Sequence, residues 1–215
     1  MKKLANNSIK NLALAGLLSP LLLVVGCSDD DAPVIVDAPV VMPPDPVNYT
    51  YQVDVTNLTY AQPMSPIAVV LHNEGQLWQL GSMAGNELEN LAESGDNSMV
   101  LAQSMVLAGQ SGADVLMPGV TESITITLTD TEPMMMSLAT MLVNTNDAFT
   151  GFNAMDITNL VVGESILLTT SSYDAGTEKN SEMMATIPGP AGGGEGYNAE
   201  RDDVDFVFFC FDSGP

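Results

Sequence analysis

Short segments in which apolar and polar residues alternate run through much of the chain. Tyr49, Tyr51, Val53 and Val55 are separated by polar residues, and residues 122–129 repeat the pattern as ESITITLT. Successive side chains of a β-strand point to opposite faces of a sheet. A period of two residues therefore predicts two strands that are each buried on one face.

Four further segments are largely apolar and of strand length. Residues 67–71 and 134–143 suit strands that are buried in a core, and residues 166–170 and 204–209 add two more candidates. Strands of this kind, bounded by Gly, Pro, Asn and Asp, are typical of all-β proteins.

One helical region interrupts the strands. Apolar residues recur at helical spacing in residues 87–93 and again in residues 99–107, on either side of Gly95 and Asp96. A parallel sheet needs regular helical crossovers, which a single helical region does not supply. The pattern predicts an all-β antiparallel sandwich with one short helical insertion.

The first 26 residues have the features of a signal peptide. Lys2, Lys3 and Lys10 precede an apolar stretch at residues 12–25, which is too short and too interrupted for a transmembrane helix. The ending Val24-Val25-Gly26-Cys27 resembles a bacterial lipobox, which implies export by the Sec pathway, cleavage before Cys27 and lipidation of that residue. An ordinary signal peptide with an incidental cysteine is the alternative.

The mature chain divides into a tether and a domain. Residues 27–47 are rich in Asp and Pro, a composition that favours an extended chain over packed structure. Residues 48–215 have a suitable length for one domain. Ser28 follows the lipidation site where an Asp would signal retention, and by analogy with bacterial sorting rules this favours the outer membrane.

Charge and rare residues restrict the function. All 27 acidic residues follow Cys27, whereas the mature chain keeps only Lys179 and Arg201 as basic residues, so nucleic acid is repelled. The acidity serves either solubility or cation binding. Cys210 has no partner for an intramolecular disulfide, and His72 is the one histidine, which disfavours zinc and catalytic triads.

Two acidic loops carry the candidate chemistry. VNTNDAFTGF covers residues 143–152 and YDAGTE covers residues 173–178, and each follows a predicted strand. Ca²⁺ takes about six to eight oxygen ligands from carboxylates, amides and main-chain carbonyls. Loops at one end of a β-sandwich can supply such ligands together.

The sequence resembles the spondin domain family, including bacterial secreted members, in four stretches. They lie at residues 51–59 with 62–66, at 137–152, at 173–182, and at 187–190 with 193–206, and the strongest are NDAFTG and YDAGTE. The thrombospondin-type repeats that accompany the animal domain are absent from this sequence. Residues 208–215 are also shorter and more apolar than the resemblance leads us to expect.

The resemblance implies a C2-like β-sandwich with a calcium ion between loops at one end. Carried to matching positions, it implies Asp147, Asp174 and Glu178 as ligands, with Asn146 as a weaker candidate. Family members bind matrix components, cell-surface receptors or microbial glycans. The resemblance therefore favours a binding module over an enzyme.

The leading expectation is a monomeric, lipid-anchored and calcium-stabilised binding or adhesion module of the outer membrane. Its expected partner is a glycan or a cell-surface or matrix protein. One alternative is a carboxylate-dependent glycan hydrolase that uses Glu164, Asp174, Glu178 or Glu195, although the chain has few aromatic residues beside Trp78. The other alternative is a purely structural envelope lipoprotein.

Overall fold

A computed structural model describes residues 2–3, 44–181 and 183–202. The described residues from Val47 onward belong to one compact unit. Cys27, Cys210 and the strand predicted at residues 204–209 lie outside the described residues. Within the described part of the chain, no helix has the length and apolar character to cross a membrane.

The described chain is built mainly from strands. The strands are β1 (Lys2–Lys3), β2 (Asn48–Thr56), β3 (Ala68–His72), β4 (Val106–Ser111), β5 (Thr121–Thr129), β6 (Met135–Met141), β7 (Ala148–Asp156) and β8 (Ser172–Asp174). The helices are α1 (Asn86–Ser94) and α2 (Ser98–Leu101), and a 3₁₀ turn covers Met184–Thr186.

The strands form two antiparallel sheets. One has the order β1-β2-β5, and the other has the order β4-β3-β6-β7-β8. β2 and β5 pair along their whole length, from Asn48 opposite Thr129 to Thr56 opposite Thr121. The two sheets with one short helical region confirm the predicted all-β antiparallel sandwich. β1 comes from the predicted signal peptide, so cleavage would remove it from the edge of β2.

The main core lies between the two sheets. Its buried members include residues from β2, β3, β5 and β6, namely Tyr51, Val53, Val69, Leu71, Ile124, Ile126, Met136 and Leu138. On β2 and β5 these apolar residues alternate with exposed or half-buried ones, as the period of two predicts. The alternation is therefore a consequence of one face packing against the second sheet.

The helices cover the other face of the five-stranded sheet. Ala68 and Val70 of β3 pack in one cluster with Leu88 and Leu91 of α1 and Val100 of α2. β3 is buried at all five positions because it has the second sheet on one face and the helices on the other. This placement explains its uninterrupted apolar sequence.

Three predictions from the sequence were wrong, and they concern one strand, the end of one helix and the extent of one loop. Residues 166–170 form no strand, because pairing with β7 begins only at Ser172. Leu167 is accordingly 99% exposed. The second helical segment ends at Leu101, and Val106 begins β4, which pairs with β3. Tertiary pairing here overrides the local helical spacing.

The third correction concerns the first acidic loop. Ala148 begins β7, so only residues 143–147 form the turn between β6 and β7. Phe149 and Thr150 are buried and pair with β6 and β8, which stabilises an extended strand despite the Asn, Asp and Gly around them.

Candidate metal centre

Three parts of the fold meet at one end of the sandwich. They are the turn at residues 143–147, the segment 174–178 that leaves β8, and the last turn of α1. The β6–β7 turn is closed by hydrogen bonds from the Leu142 amide to the Ala148 carbonyl (2.8 Å) and from the Thr145 amide to the Leu142 carbonyl (3.0 Å). This closure directs the side chain at position 147 inward.

Asp147 is the most buried candidate ligand, with 1% of its surface exposed. Its Oδ2 accepts hydrogen bonds from the amides of Thr177 (2.9 Å) and Glu178 (3.0 Å). Its Oδ1 is buried and has no hydrogen-bond partner among the described residues. Asp147 therefore holds the second loop in place with one oxygen and leaves the other oxygen unsatisfied.

Glu178 and Glu93 add two more buried carboxylates, with 6% and 1% of their surfaces exposed. Within the part of the chain that the structure describes, Glu178 Oε2 is buried without a hydrogen-bond partner. Glu93, at the end of α1, accepts hydrogen bonds from the Thr177 hydroxyl (2.7 Å) and from the Asn198 amide (2.9 Å). The Thr177 hydroxyl also lies 3.3 Å from Asp147 Oδ2, but it has one proton and cannot satisfy both acids.

Asp174 and Asn146 lie at the border of this group and are half-buried. Asp174 accepts hydrogen bonds from the Gly176 amide (2.7 Å) and from Asn180 Nδ2 (2.7 Å). Asn146 Nδ2 is buried without a partner. An amide group also carries a carbonyl oxygen, so rotation of the Asn146 side chain would present an oxygen donor.

Burial and the charges of neighbouring carboxylates raise the pKa values of three acidic side chains at this end of the sandwich. Burial, followed by the charge of Asp174, raises the pKa of Asp147 to about 6. Burial, followed by the charges of Glu93 and Asp147, raises the pKa of Glu178 to about 7. Burial also raises the pKa of Glu93. The fold thus places Asp147, Glu178 and Glu93 in surroundings that disfavour their charged forms.

These shifts set the sign of the pH dependence without a bound cation. In the unfolded chain the same carboxyl groups titrate near pH 4. Since their folded-state pKa values are higher, their contribution to stability is complete below about pH 4 and is lost as the pH rises through 6 to 7. A cation that binds the ionised carboxylates would reverse this trend.

Arg201, a basic side chain close to Glu93, is already paired. Arg201 binds Glu89 of α1, with 2.7 Å between Arg201 Nε and Glu89 Oε1. This ion pair fastens the segment around residues 198–202 to the helix. It leaves Asp147 and Glu178 without a basic partner among their hydrogen bonds.

The donor atoms fit a hard cation. Carboxylate and amide oxygens suit Ca²⁺, whereas zinc prefers His and Cys. Among the described residues, no group of three or more His, Cys, Asp or Glu side chains is arranged so that it could hold a metal ion. Asp147 Oδ1 and Glu178 Oε2 are nevertheless two buried carboxylate oxygens without a hydrogen-bond partner among the described residues.

Sequence reasoning missed Glu93 and Thr177. Glu89 and Glu93 are four residues apart on α1, where like charges repel, and the last turn of α1 has no basic residue to balance them. Two acidic residues on one face of a short helix, beside buried leucines and with no basic residue in the last turn, were the available signal. This pattern indicates that a group outside the helix compensates its negative charge, as Arg201 does for Glu89.

The other candidate groups lie elsewhere. His72 and Ser137 are fully buried and share a hydrogen bond of 2.9 Å, and His72 Nδ1 lies 2.8 Å from the Glu74 carbonyl, so a substrate does not reach this pair. Glu164 is exposed and accepts a hydrogen bond from Val161 of its own turn. Glu195 is exposed near the buried Glu178, so these two acids do not form an open pair.

Comparison of the chain with protein-family models gave no match, and comparison with curated proteins gave none either.

Proposed function

We propose that this protein is a lipid-anchored, calcium-stabilised binding or adhesion module of the bacterial outer membrane. The single observation that carries the calcium part is the buried pair of unsatisfied carboxylate oxygens, Asp147 Oδ1 and Glu178 Oε2. The predicted lipidation of Cys27, the tether and the resemblance to the spondin domain family support the anchored binding role.

The physical argument for a cation rests on the cost of buried charge. An ionised carboxylate that leaves water without a partner destabilises a fold by several kcal/mol. The charges of Glu93 and Asp147 raise the pKa of Glu178, the charge of Asp174 raises the pKa of Asp147, and the Arg201 side chain is bound to Glu89. Without a cation, protonation of these carboxyl groups relieves the repulsion between them. A divalent cation bound among them would offset that repulsion while they stay ionised.

Asp147 and Glu178 are the ligands that we assign first, and Glu93 is a third carboxylate beside them. Asn146 would contribute an amide oxygen. Asp174 binds through any remaining lone pairs, because both of its oxygens already accept hydrogen bonds. The bound ion would fasten the end of α1 to both loops and so stabilise the surface on which a binding partner docks.

A binding role agrees better with this arrangement than a hydrolase role. A glycoside hydrolase uses two carboxyl groups across an open cleft, roughly 5 to 10 Å apart. Asp147 and Glu178 are instead buried on either side of Thr177, and Asp147 Oδ2 accepts hydrogen bonds from the main-chain amides of Thr177 and Glu178.

Calorimetric titration of the chelated protein with Ca²⁺ tests the proposal. We expect one ion per chain at pH 7.5 and an affinity that falls by about tenfold or more at pH 5.5, because protons compete for Asp147 and Glu178. Mg²⁺ should bind more weakly because it demands a regular octahedral shell.

Two results would count against the calcium site. One is the absence of binding heat at pH 7.5 in a sample that is folded by circular dichroism. The other is an affinity that stays the same from pH 5.5 to 7.5, since ligands with normal pKa values remain ionised over that range.

A further inference from the structure

A groove of about 550 Å³ lies on the surface beside β8, and we call it the Trp78 groove. Its walls are the turn at residues 76–80 and the segment at residues 168–173, and residues 151–153 of β7 complete the lining. Its size is within the range of about 300 to 1,000 Å³ that small-ligand sites occupy.

None of the described residues that line the Trp78 groove carries a charged side chain. This is unusual for a chain with 27 acidic residues and a formal net charge of −22. The lining combines aromatic rings with amides and hydroxyls. The aromatic residues are Trp78, Phe152 and Tyr173, the amides are Gln76, Gln79 and Asn153, and the hydroxyls belong to residues 169–171.

The aromatic side of the groove is held in position by ring packing. Trp78 lies edge-on to the buried Phe149, with 5.1 Å between ring centroids, and 5.4 Å from the ring of Tyr173. Tyr173 in turn stacks on Phe149 at 5.4 Å. Trp78 and Tyr173 are themselves half-buried, so each keeps part of its ring surface accessible.

A second set of contacts fixes the turn that carries Trp78. Asn153 Nδ2 donates to the Trp78 carbonyl (2.5 Å), and Asn153 Oδ1 accepts from the Leu77 amide (2.8 Å). These bonds tie the turn to β7. The exposed amides of Gln76 and Gln79 are on the same turn and are free to turn toward a ligand. A rigid aromatic platform reduces the entropy lost on binding, whereas ordering the two glutamine side chains adds to that loss.

The chemistry of the lining selects the ligand class. A sugar ring presents C–H groups on one face, which pack on an aromatic ring, and hydroxyls at its edge, which bond to amides and other hydroxyls. A cationic ligand would find better partners at the acidic loops. An anionic ligand would be repelled by the net charge of the chain.

We propose that the Trp78 groove binds a neutral saccharide, with Trp78 and Tyr173 as the stacking surface and Gln76 and Gln79 as hydrogen-bonding partners. This inference rests on the proposed binding role and names its ligand class, but it does not require the calcium site. The chain would thus bind a neutral glycan at a surface close to the calcium-stabilised loop.

The test is a titration with four neutral tetrasaccharides, namely cellotetraose, maltotetraose, mannotetraose and chitotetraose, and with trigalacturonate as an acidic comparator. Trp78 is the one tryptophan of the chain, so its fluorescence reports on the groove alone. We expect a saturable change with at least one neutral sugar below about 10 mM, and no change with trigalacturonate.

Variants place the binding in the groove. Calorimetry should show that Tyr173→Ala weakens the affinity for the binding sugar by about tenfold, as truncation of a central aromatic contact does. Tyr60→Ala is the matched control, because Tyr60 is fully exposed and is not part of the groove lining. It should leave the affinity unchanged.

Three outcomes overturn the inference. They are the absence of binding with all four neutral sugars, binding of trigalacturonate alone, and an affinity that Tyr173→Ala leaves unaltered. Calcium binding is measured on the same sample. If calcium binds while no sugar does, the groove proposal alone fails, whereas failure of both removes the proposed function as well.

Discussion

Glu178→Gln is expected to change stability in opposite directions with and without calcium. In chelator at pH 7.5 the variant should melt about 2 to 4 °C higher than the wild type, because it removes a buried charge whose pKa is raised to about 7. In calcium at about one hundred times the dissociation constant, the wild type should gain about 5 to 10 °C. The variant should gain little, since one ligand is missing.

Glu164→Gln is the matched control for this experiment. Glu164 is exposed and bonds only to its own turn, so the same loss of charge should alter neither melting temperature by more than about 1 °C. If Glu178→Gln keeps the full calcium gain, Glu178 is not a ligand. If Glu178→Gln lowers the melting temperature in chelator, the wild-type Glu178 carboxylate has a stabilising partner. Glu178 would then not be an unpaired buried charge.

Gly151→Ala should destabilise the fold by about 3 kcal/mol or more. A Cβ atom at position 151 would lie 1.9 Å from the Leu138 carbonyl oxygen and 3.0 Å from the Ala139 Cα atom. Both atoms belong to the backbone of β6, which pairs with β7 at this point, so the clash cannot be relieved by a side-chain rotation. Denaturant unfolding measures the loss.

Gly196→Ala provides the comparison. A Cβ there would meet Ser94 at 3.6 Å, an ordinary contact, and we expect a change within about 0.5 kcal/mol. Equal stabilities of the two variants would show that β7 does not approach β6 as described. Such a result would restore the loop that the sequence predicts for residues 143–152.

The sequence predicted strands best where burial and periodicity agree. β3 was recognisable because both of its faces are covered, which requires an apolar residue at every position. Residues 166–170 have a similar composition but no partner strand, and Leu167 is exposed. Apolar character indicates a preference for burial, whereas a strand also needs a neighbour to receive its hydrogen bonds.

The candidate site was predicted only in part for a similar reason. Asp147 and Glu178 lie in loops whose composition and family resemblance predict a calcium site, and the fold brings these two loops together. Glu93 is on a helix distant in sequence, and its approach depends on the packing of α1 against the five-stranded sheet. Local patterns carry no information on that long-range contact.

The most direct measurement is a crystal structure determined in the presence of calcium, with anomalous scattering used to identify the ion. We predict one Ca²⁺ bound by Asp147 Oδ1 and Glu178 Oε2, the two carboxylate oxygens without a hydrogen-bond partner among the described residues, at about 2.3 to 2.6 Å. Crystals that show these two oxygens in contact only with protein groups or water, with calcium absent or bound at another place, would contradict it.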